Sequence, residues 1–196
     1  MNPKGEVFMP KTYRQGRGFT LVELLVVIAI ISVIAGVLIP TLMSARGRAD
    51  QVACQSNLRE LQKLGMIYAD SSGTRFFPLA KGGNPAAHES LQLLVDKNEG
   101  LSPKMFVCRT WRDGEAEMVD EKFQLSESTC SYTWPKRKLS PSDKATIPLS
   151  CDKFVYSDDA PNGHKGGRNV VYLSGNVEEV SVETLPADEL PKDLVR

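Results

Sequence analysis

The chain has no C-x-x-C pair and only two histidines, His88 and His164, while its four cysteines, Cys54, Cys108, Cys130 and Cys151, stand far apart. A zinc cage draws on clustered thiolates and imidazoles at short spacings, so metal-cage and thioredoxin-like chemistry both recede. A basic surplus is missing too: 24 Lys and Arg balance 24 Asp and Glu, and the part beyond the N-terminus shows no evident basic patch. Binding to nucleic acid depends on clustered cations that neutralise phosphates, so nucleic acid is not an expected partner. The 196 residues, 41% of them hydrophobic, suit one folded domain of roughly 100 to 150 residues plus an extra segment, with no room for a second catalytic domain.

What the chain does have is a long apolar run. Residues 21–39 read LVELLVVIAIISVIAGVLI, nineteen residues with a single charge, Glu23, near the start. At about 1.5 Å per residue such a helix is roughly 29 Å long, close to the hydrocarbon thickness of a bilayer. Lys4, Lys11, Arg14 and Arg17 precede it against Glu6 alone, a net +3 that leaves −3 for the rest of a chain whose formal charge is zero. Positive residues stay on the cytoplasmic side, so the N-terminus is expected inside and the remainder outside, although Arg46 and Arg48 beyond the run weaken the contrast. Two other readings compete. A buried soluble helix is rarely so long and so uniformly apolar. A secretory signal has an apolar region of about 7 to 15 residues before a small-residue cleavage site; Ser44 and Ala45 imitate such a site, but this run is longer and carries an acid.

Outside the cytoplasm four cysteines permit two disulfides in any of three pairings. The pairing favoured here is Cys54 with Cys108 and Cys130 with Cys151, with buried free thiols as the alternative.

The hexapeptide Gly18-Phe19-Thr20-Leu21-Val22-Glu23, after a short basic leader and before an unbroken apolar helix, resembles the prepilin cleavage and methylation motif of type IV pilin-like proteins, and Pro40 matches a proline common late in their first helix. The resemblance implies cleavage between Gly18 and Phe19 by a membrane prepilin peptidase, followed by N-methylation of Phe19. Glycine lets an extended backbone approach a protease closely because it has no Cβ. Cleavage frees an α-amine that is mostly cationic at neutral pH, and Glu23 is its expected partner in a neighbouring subunit. The alternative for Glu23 is a solvated acid at the membrane edge.

Between Ser44 and Asp70, the residues Ala45, Ala49, Val52, Ala53, Leu58, Leu61, Leu64 and Tyr68 recur at helical spacing, which predicts that the helix continues as an amphipathic segment. Pro40 can kink it, Gly47 and Gly65 weaken it locally, and Ser71-Ser72-Gly73 ends it. Four regions follow: a leader at 1–18, a transmembrane half-helix at 19–43, an amphipathic periplasmic half at 44–70 and a globular α+β head at 71–196. In the head, 87–97 reads as a helix with Leu91, Leu94 and Val95 on one face. Short strands are predicted at 105–109, 129–134, 153–157, 169–173 and 177–182, the last two bracketing a hairpin signal at Ser174-Gly175-Asn176. The stretch 135–148, rich in Pro, Ser and Lys, reads as a surface excursion.

The segment from His164 to Val177, HKGGRNVVYLSGNV, resembles a C-terminal signature of pilin-like proteins abundant in planctomycete-type bacteria, H-x-G-G-x-N-V-x-F-x-D-G-x-V, with Ser174 in the place of its aspartate. Cys54-x-x-Asn57-Leu58-Arg59-x-Leu61 and Phe106-x-Cys108 look like the same subgroup. The related G-type pseudopilins of type II secretion carry calcium in a C-terminal loop, which makes Asp158, Asp159 and Asn162 candidate calcium ligands; otherwise no cofactor is expected, and acids beside Pro-Asn-Gly also serve simply to turn a chain. His164 has no recognisable nucleophile beside it and Ser174 reads as a turn residue, so no catalytic residue is assigned and no enzyme is expected.

The fold expected is α+β, a long N-terminal transmembrane helix packed on a small antiparallel sheet in the lollipop form that the pilin resemblance implies. The resemblance also implies partners: prepilin peptidase, other pilin or pseudopilin subunits in a homo- or hetero-polymer, the assembly platform and motor ATPase, and the bacterial inner membrane. A pseudopilin of type II secretion is the favoured function. The alternatives are a surface type IV pilin for adhesion, motility or DNA uptake, and a membrane-tethered periplasmic ligand-binding domain.

Overall fold

A computed structural model of the chain describes residues 19–109, 113–119, 122–153 and 167–181. Helix α1, Leu21–Ser71, runs unbroken through Pro40. Its first part is dense in Val and Ile, indifferent helix formers in water, yet in lipid a helix is the one way a lone segment can pair all its backbone groups. The chain divides into two compact units, Met1–Met43 and Ser44–Arg196, so the division falls where the sequence reading ends the membrane segment. At the C-terminal end of α1 the Ser72 amide donates to Tyr68 O at 2.9 Å, and Gly73 turns left-handed at φ +68°, the usual way for a helix to close its last carbonyls.

The second unit is built round the last third of α1. Cys54, Leu58, Leu61, Leu64 and Ala69 are buried there, whereas Val52, placed on the apolar face by sequence periodicity, is 62% exposed. Gly65 marks the closest approach. A Cβ at this position would stand 2.6 Å from the Phe77 ring and 3.3 Å from Trp134, so this glycine lets the edge-on Phe77 and Trp134 pair lie against the helix. The Trp134 indole N–H, buried with its ring, donates to Pro78 O at 2.7 Å. Helix α2, Ala87–Lys97, begins and ends where expected, burying Leu91, Leu94 and Val95 together with Ser90. Its first turn is closed by the Ala86 amide donating to the Glu89 carboxylate at 2.8 Å.

Three strands, β1 Pro148–Cys151, β2 Gly167–Tyr172 and β3 Val177–Ser181, form an antiparallel sheet in the order β1-β2-β3. The protein is thus α+β, with a long N-terminal helix and a small sheet. The C-terminal hairpin is the one predicted: Gly175 adopts φ +83°, its amide donates to Tyr172 O, and the Tyr172 amide donates to Asn176 O.

Other predicted strands differ. Residues 105–109 open in a 3-10 turn, Pro103–Phe106, because Pro103 presets a helical φ and its missing N–H costs nothing at the first position. The stretch 129–134 follows a second 3-10 turn, Glu127–Thr129, and makes a single isolated bridge, Tyr132 with Asp152. Of the strand expected at 153–157, Lys153 lies outside any strand and 154–157 fall outside the described residues, while β1, just before it, was not expected. The stretch 135–148 is only partly a surface excursion. Leu139 is buried and its carbonyl accepts from the Phe77 amide at 2.8 Å, and Ala145 and Ile147 carbonyls accept from Ser174 and Leu173.

Candidate functional site

The N-terminus of α1 is closed by the chain's own side chains. The Thr20 amide and hydroxyl donate to Glu23 Oε2 at 2.9 and 2.8 Å, and the Glu23 amide donates back to Thr20 Oγ1 at 3.2 Å. This reciprocal Thr-x-x-Glu box satisfies backbone donors that would otherwise face lipid. Sequence reasoning assigned Glu23 an intermolecular role and passed over this local one, although a threonine three residues before an acid at the start of an apolar run is its signature. Beyond the box every large apolar side chain from Leu21 to Met43 is exposed, from 45% at Val27 to 77% at Leu21, and the most apolar window of the helix has none of its residues buried. Phe19 is exposed as well, and Gly18 lies outside the described residues. Such a continuous bare apolar rod needs lipid or other helices around it.

In the second unit the residues of the C-terminal motif act as fasteners. Asn169, fully buried on β2, donates from its backbone and side-chain amides to Asp152 Oδ2 at 3.0 and 2.9 Å. Its Oδ1 accepts from Gln55 Nε2 of α1 at 2.9 Å. Gln62, two turns further along the same face of α1, donates to Leu173 O at 2.9 Å and packs beside Gly175 in the hairpin turn. Ser174 Oγ accepts from the Asn176 amide at 3.3 Å, the contact an aspartate makes when it closes an Asx turn, so its place in this turn is met by a hydroxyl. Asn57 holds the neighbouring loop, donating to Val107 O and to the Tyr132 hydroxyl at 3.3 and 3.1 Å. Asn57, Asn169 and Gly175 are thus positioning residues that tie α1 to the sheet and to the 3-10 turn.

One of the two favoured disulfides is present. Cys54 and Cys108 are bonded, with Cα atoms 5.3 Å apart. Cys130 and Cys151 are free, buried thiols, and register explains the difference. Tyr132 stands opposite Asp152, so the residue facing Cys151 is Thr133, whose hydroxyl lies 3.1 Å from its sulfur. Cys130 lies three positions away, on the alternate face, and at about 3.3 Å per residue the offset of roughly 10 Å exceeds what a disulfide spans. The Cys54 and Cys108 sulfurs and an Asp152 carboxylate oxygen lie within 4.8 Å of one another, but sulfurs bonded to each other are not thiolate ligands. The calcium candidates Asp158, Asp159 and Asn162, and His164, lie outside the described residues.

Burial pushes the Cys130 thiol up to about 11 and raises Cys151 and the Tyr132 hydroxyl. An unfolded thiol titrates near about 8.5, so the unfolded chain releases these protons first. The stability they contribute is full below about pH 8.5 and is lost as pH climbs towards 11. The thermal midpoint is therefore expected to fall between about pH 9 and 11, and two thiols in the unreduced protein to react with a maleimide only after unfolding. A flat midpoint across that range, or no thiol gained on unfolding, contradicts the arrangement.

Residues 13–39 match the family described as Prokaryotic N-terminal methylation motif. That motif and the exposed apolar helix make this chain similar to type IV pilins and type II secretion pseudopilins, the class to which its relatives belong. Proteins of this class are structural subunits, and the helix and motif fit a membrane-anchored one.

Among individual relatives, the Type IV wide pilus major component PilA4 of Thermus thermophilus is 47% identical over 55 residues, covering 28% of this chain and 42% of the relative. The Type II secretion system core protein G of Vibrio cholerae is 27% identical over 157 residues, 80% of this chain and 90% of the relative. The protein of the same name from Pectobacterium carotovorum is 34% identical over 85 residues, 43% of this chain and 48% of the relative. The chain therefore spans less than half the length of two of these relatives and most of the third. No solved structure matches it significantly.

Proposed function

We propose that the chain is a pseudopilin subunit for type II protein secretion, made as a precursor, cut after Gly18, methylated at Phe19 and polymerised through its N-terminal helix. The observation that carries the reading is the bare apolar rod of residues 21–43, headed by the methylation motif. Stored in the inner membrane, with the N-terminus cytoplasmic and the second unit periplasmic, that surface is covered by lipid. Drawn into a filament it is covered by neighbouring rods, with many weak contacts adding up. Peptidase, assembly platform and motor ATPase are the partners such a cycle requires, and no catalytic step by this chain enters it.

A surface pilus is the second reading, favoured by the 47% identity to a wide pilus component. The longer correspondence, over 80% of the chain, is to a secretion protein, and a match of that extent includes most of the second unit. Deleting the gene decides between them: accumulation of normally exported enzymes in the periplasm is expected for a pseudopilin, and normal export with altered surface filaments for a pilin. Mass spectrometry of the protein from cells tests the shared premise. A mature chain beginning at methylated Phe19 is expected, and a chain that still begins at Met1 with no polymer present contradicts both readings in favour of a tethered domain.

A further inference from the structure

A balanced total charge conceals a strongly divided surface on the second unit. Residues 72–86 carry Arg75 and Lys81 and no acid, and residues 134–147 carry Lys136, Arg137, Lys138 and Lys144 against Asp143 alone. The fold lays these two stretches side by side. The Phe77 amide donates to Leu139 O at 2.8 Å, and the Lys138 ammonium sits 5.5 Å from the centre of the Phe76 ring. Phe76 is 38% exposed, and Lys138 and Arg75, its neighbour in sequence, are exposed as well. The basic patch not evident in the linear sequence is therefore assembled by tertiary pairing, with an aromatic ring at its centre.

Residues 113–121 supply the opposite sign. They hold Asp113, Glu115, Glu117, Asp120 and Glu121 and no base. Among the described ones, Glu115 and Glu117 are exposed, and Met118 and Val119 beside them are 51% and 65% exposed. This stretch is held at the other end of the segment that bears the basic patch. Gly114 donates to Ser128 O and the Ser131 hydroxyl donates to Asp113 Oδ2 at 2.9 Å.

We infer that the patch formed by Arg75, Phe76, Lys136 and Lys138 of one subunit docks on the acidic, apolar stretch of Glu115, Glu117, Met118 and Val119 of a second copy of this chain. The two surfaces are opposite in sign, and each carries exposed apolar side chains. Among the described residues no salt bridge joins Arg75, Lys136 or Lys138 to Glu115 or Glu117 within one molecule, and their balance on one chain makes the chain its own complement. Two different surfaces meeting form a head-to-tail contact, and such contacts propagate as open polymers unless the rotation closes a ring. The inference rests on the polymerising reading above and specifies a contact between the second units that the helix alone does not provide.

Isotope-mixed cross-linking tests it. Full-length protein labelled with nitrogen-15 is mixed with unlabelled protein in detergent, treated with a carbodiimide that joins amines to carboxylates in direct contact, and digested. Mixed-isotope peptides linking Lys136 or Lys138 to Glu115 or Glu117 are expected. Association of the same samples, read by sedimentation, is expected to weaken roughly tenfold in a triple variant Arg75→Glu, Lys136→Glu, Lys138→Glu and in a double variant Glu115→Lys, Glu117→Lys, since several exposed pairs of modest strength turn repulsive together. Mixing the two variants is expected to restore it, because each then meets its complement. Circular dichroism confirms that these surface changes leave the fold intact.

Absence of the mixed links, undiminished association in a single variant, or failure of the mixture to restore association overturns the inference. The last result would assign the basic patch to some other anionic partner. The N-terminal mass of the same samples separates the two readings: links in a chain still bearing Met1 would sink the pilin reading alone, and a processed chain without links would sink this contact alone.

Discussion

Replacing Glu23 by valine is expected to leave cleavage after Gly18 largely intact and to cut filament yield by at least about tenfold. An acid in a membrane span costs about 2.5 to 3.5 kcal/mol at the bilayer centre and less near the end. Its two bonds from Thr20 offset part of that cost within a single chain. Valine removes both the cost and the box, so the unassembled subunit sits in lipid at least as well as before. What valine cannot do is meet the cationic α-amine of a cleaved neighbour as it enters the bundle, where a lone charge out of water is most unfavourable.

Thr20→Val separates the two roles of this carboxylate. It removes the hydroxyl half of the box, worth about 1 kcal/mol, but keeps the acid, and near-normal filament yield is expected. Quantitative immunoblotting of sheared or cross-linked filaments, with N-terminal mass as the control for cleavage, provides the measurement. Normal polymer from Glu23→Val would remove the pairing role, and an equal loss from Thr20→Val would reassign the carboxylate to capping.

The second large effect is expected at Cys54 and Cys108. Their bond closes a loop of sequence separation 54, and loop-closure entropy for that length corresponds to about 4 kcal/mol of stabilisation. For a folded unit of this size that is a drop of roughly 10 °C in thermal midpoint. The bond ties the buried part of α1 to the turn after Pro103–Phe106, which Asn57 also holds through Val107 O. A Cys54→Ser, Cys108→Ser variant, followed by circular dichroism on the full chain in detergent, is expected to melt about that much lower. The wild type with reductant should approach the same value. A transition indifferent to reductant would show that the bond does not bear on stability in the protein as made. Cys130→Ser serves as the contrast, because its thiol joins no bridge and reductant should affect that variant as it does the wild type.

How far the chain was legible beforehand depended on the range of the forces involved. The apolar run, the start of α1, α2 and the C-terminal hairpin follow from local rules of spacing, capping and turn chemistry, and each lies where the residues place it. Gly65 was misread as a weak point in a helix, since its use becomes visible only when Phe77 and Trp134 arrive from elsewhere in the chain. The apolar stretches at 105–109 and 129–134 were read as strands because short runs of that kind do not distinguish an edge segment from a 3-10 turn. The hydrogen bonds from Asn57 to Val107 and Tyr132 and from Gln55 to Asn169 were likewise out of reach, because the partners lie 50 to 114 positions apart in sequence.

By itself the sequence determined the likeness to pilins and the long apolar helix: a glycine before an aromatic residue, an acid at a set offset and nineteen apolar residues are all local features, and an apolar run forms its helix from local backbone bonds alone. Only the tertiary structure decided which cysteines are joined and that Arg75, Phe76 and Lys138 share one surface. Those outcomes depend on strand register and on which distant segments become neighbours, and a shift of a single residue in pairing reverses the face on which every side chain lies.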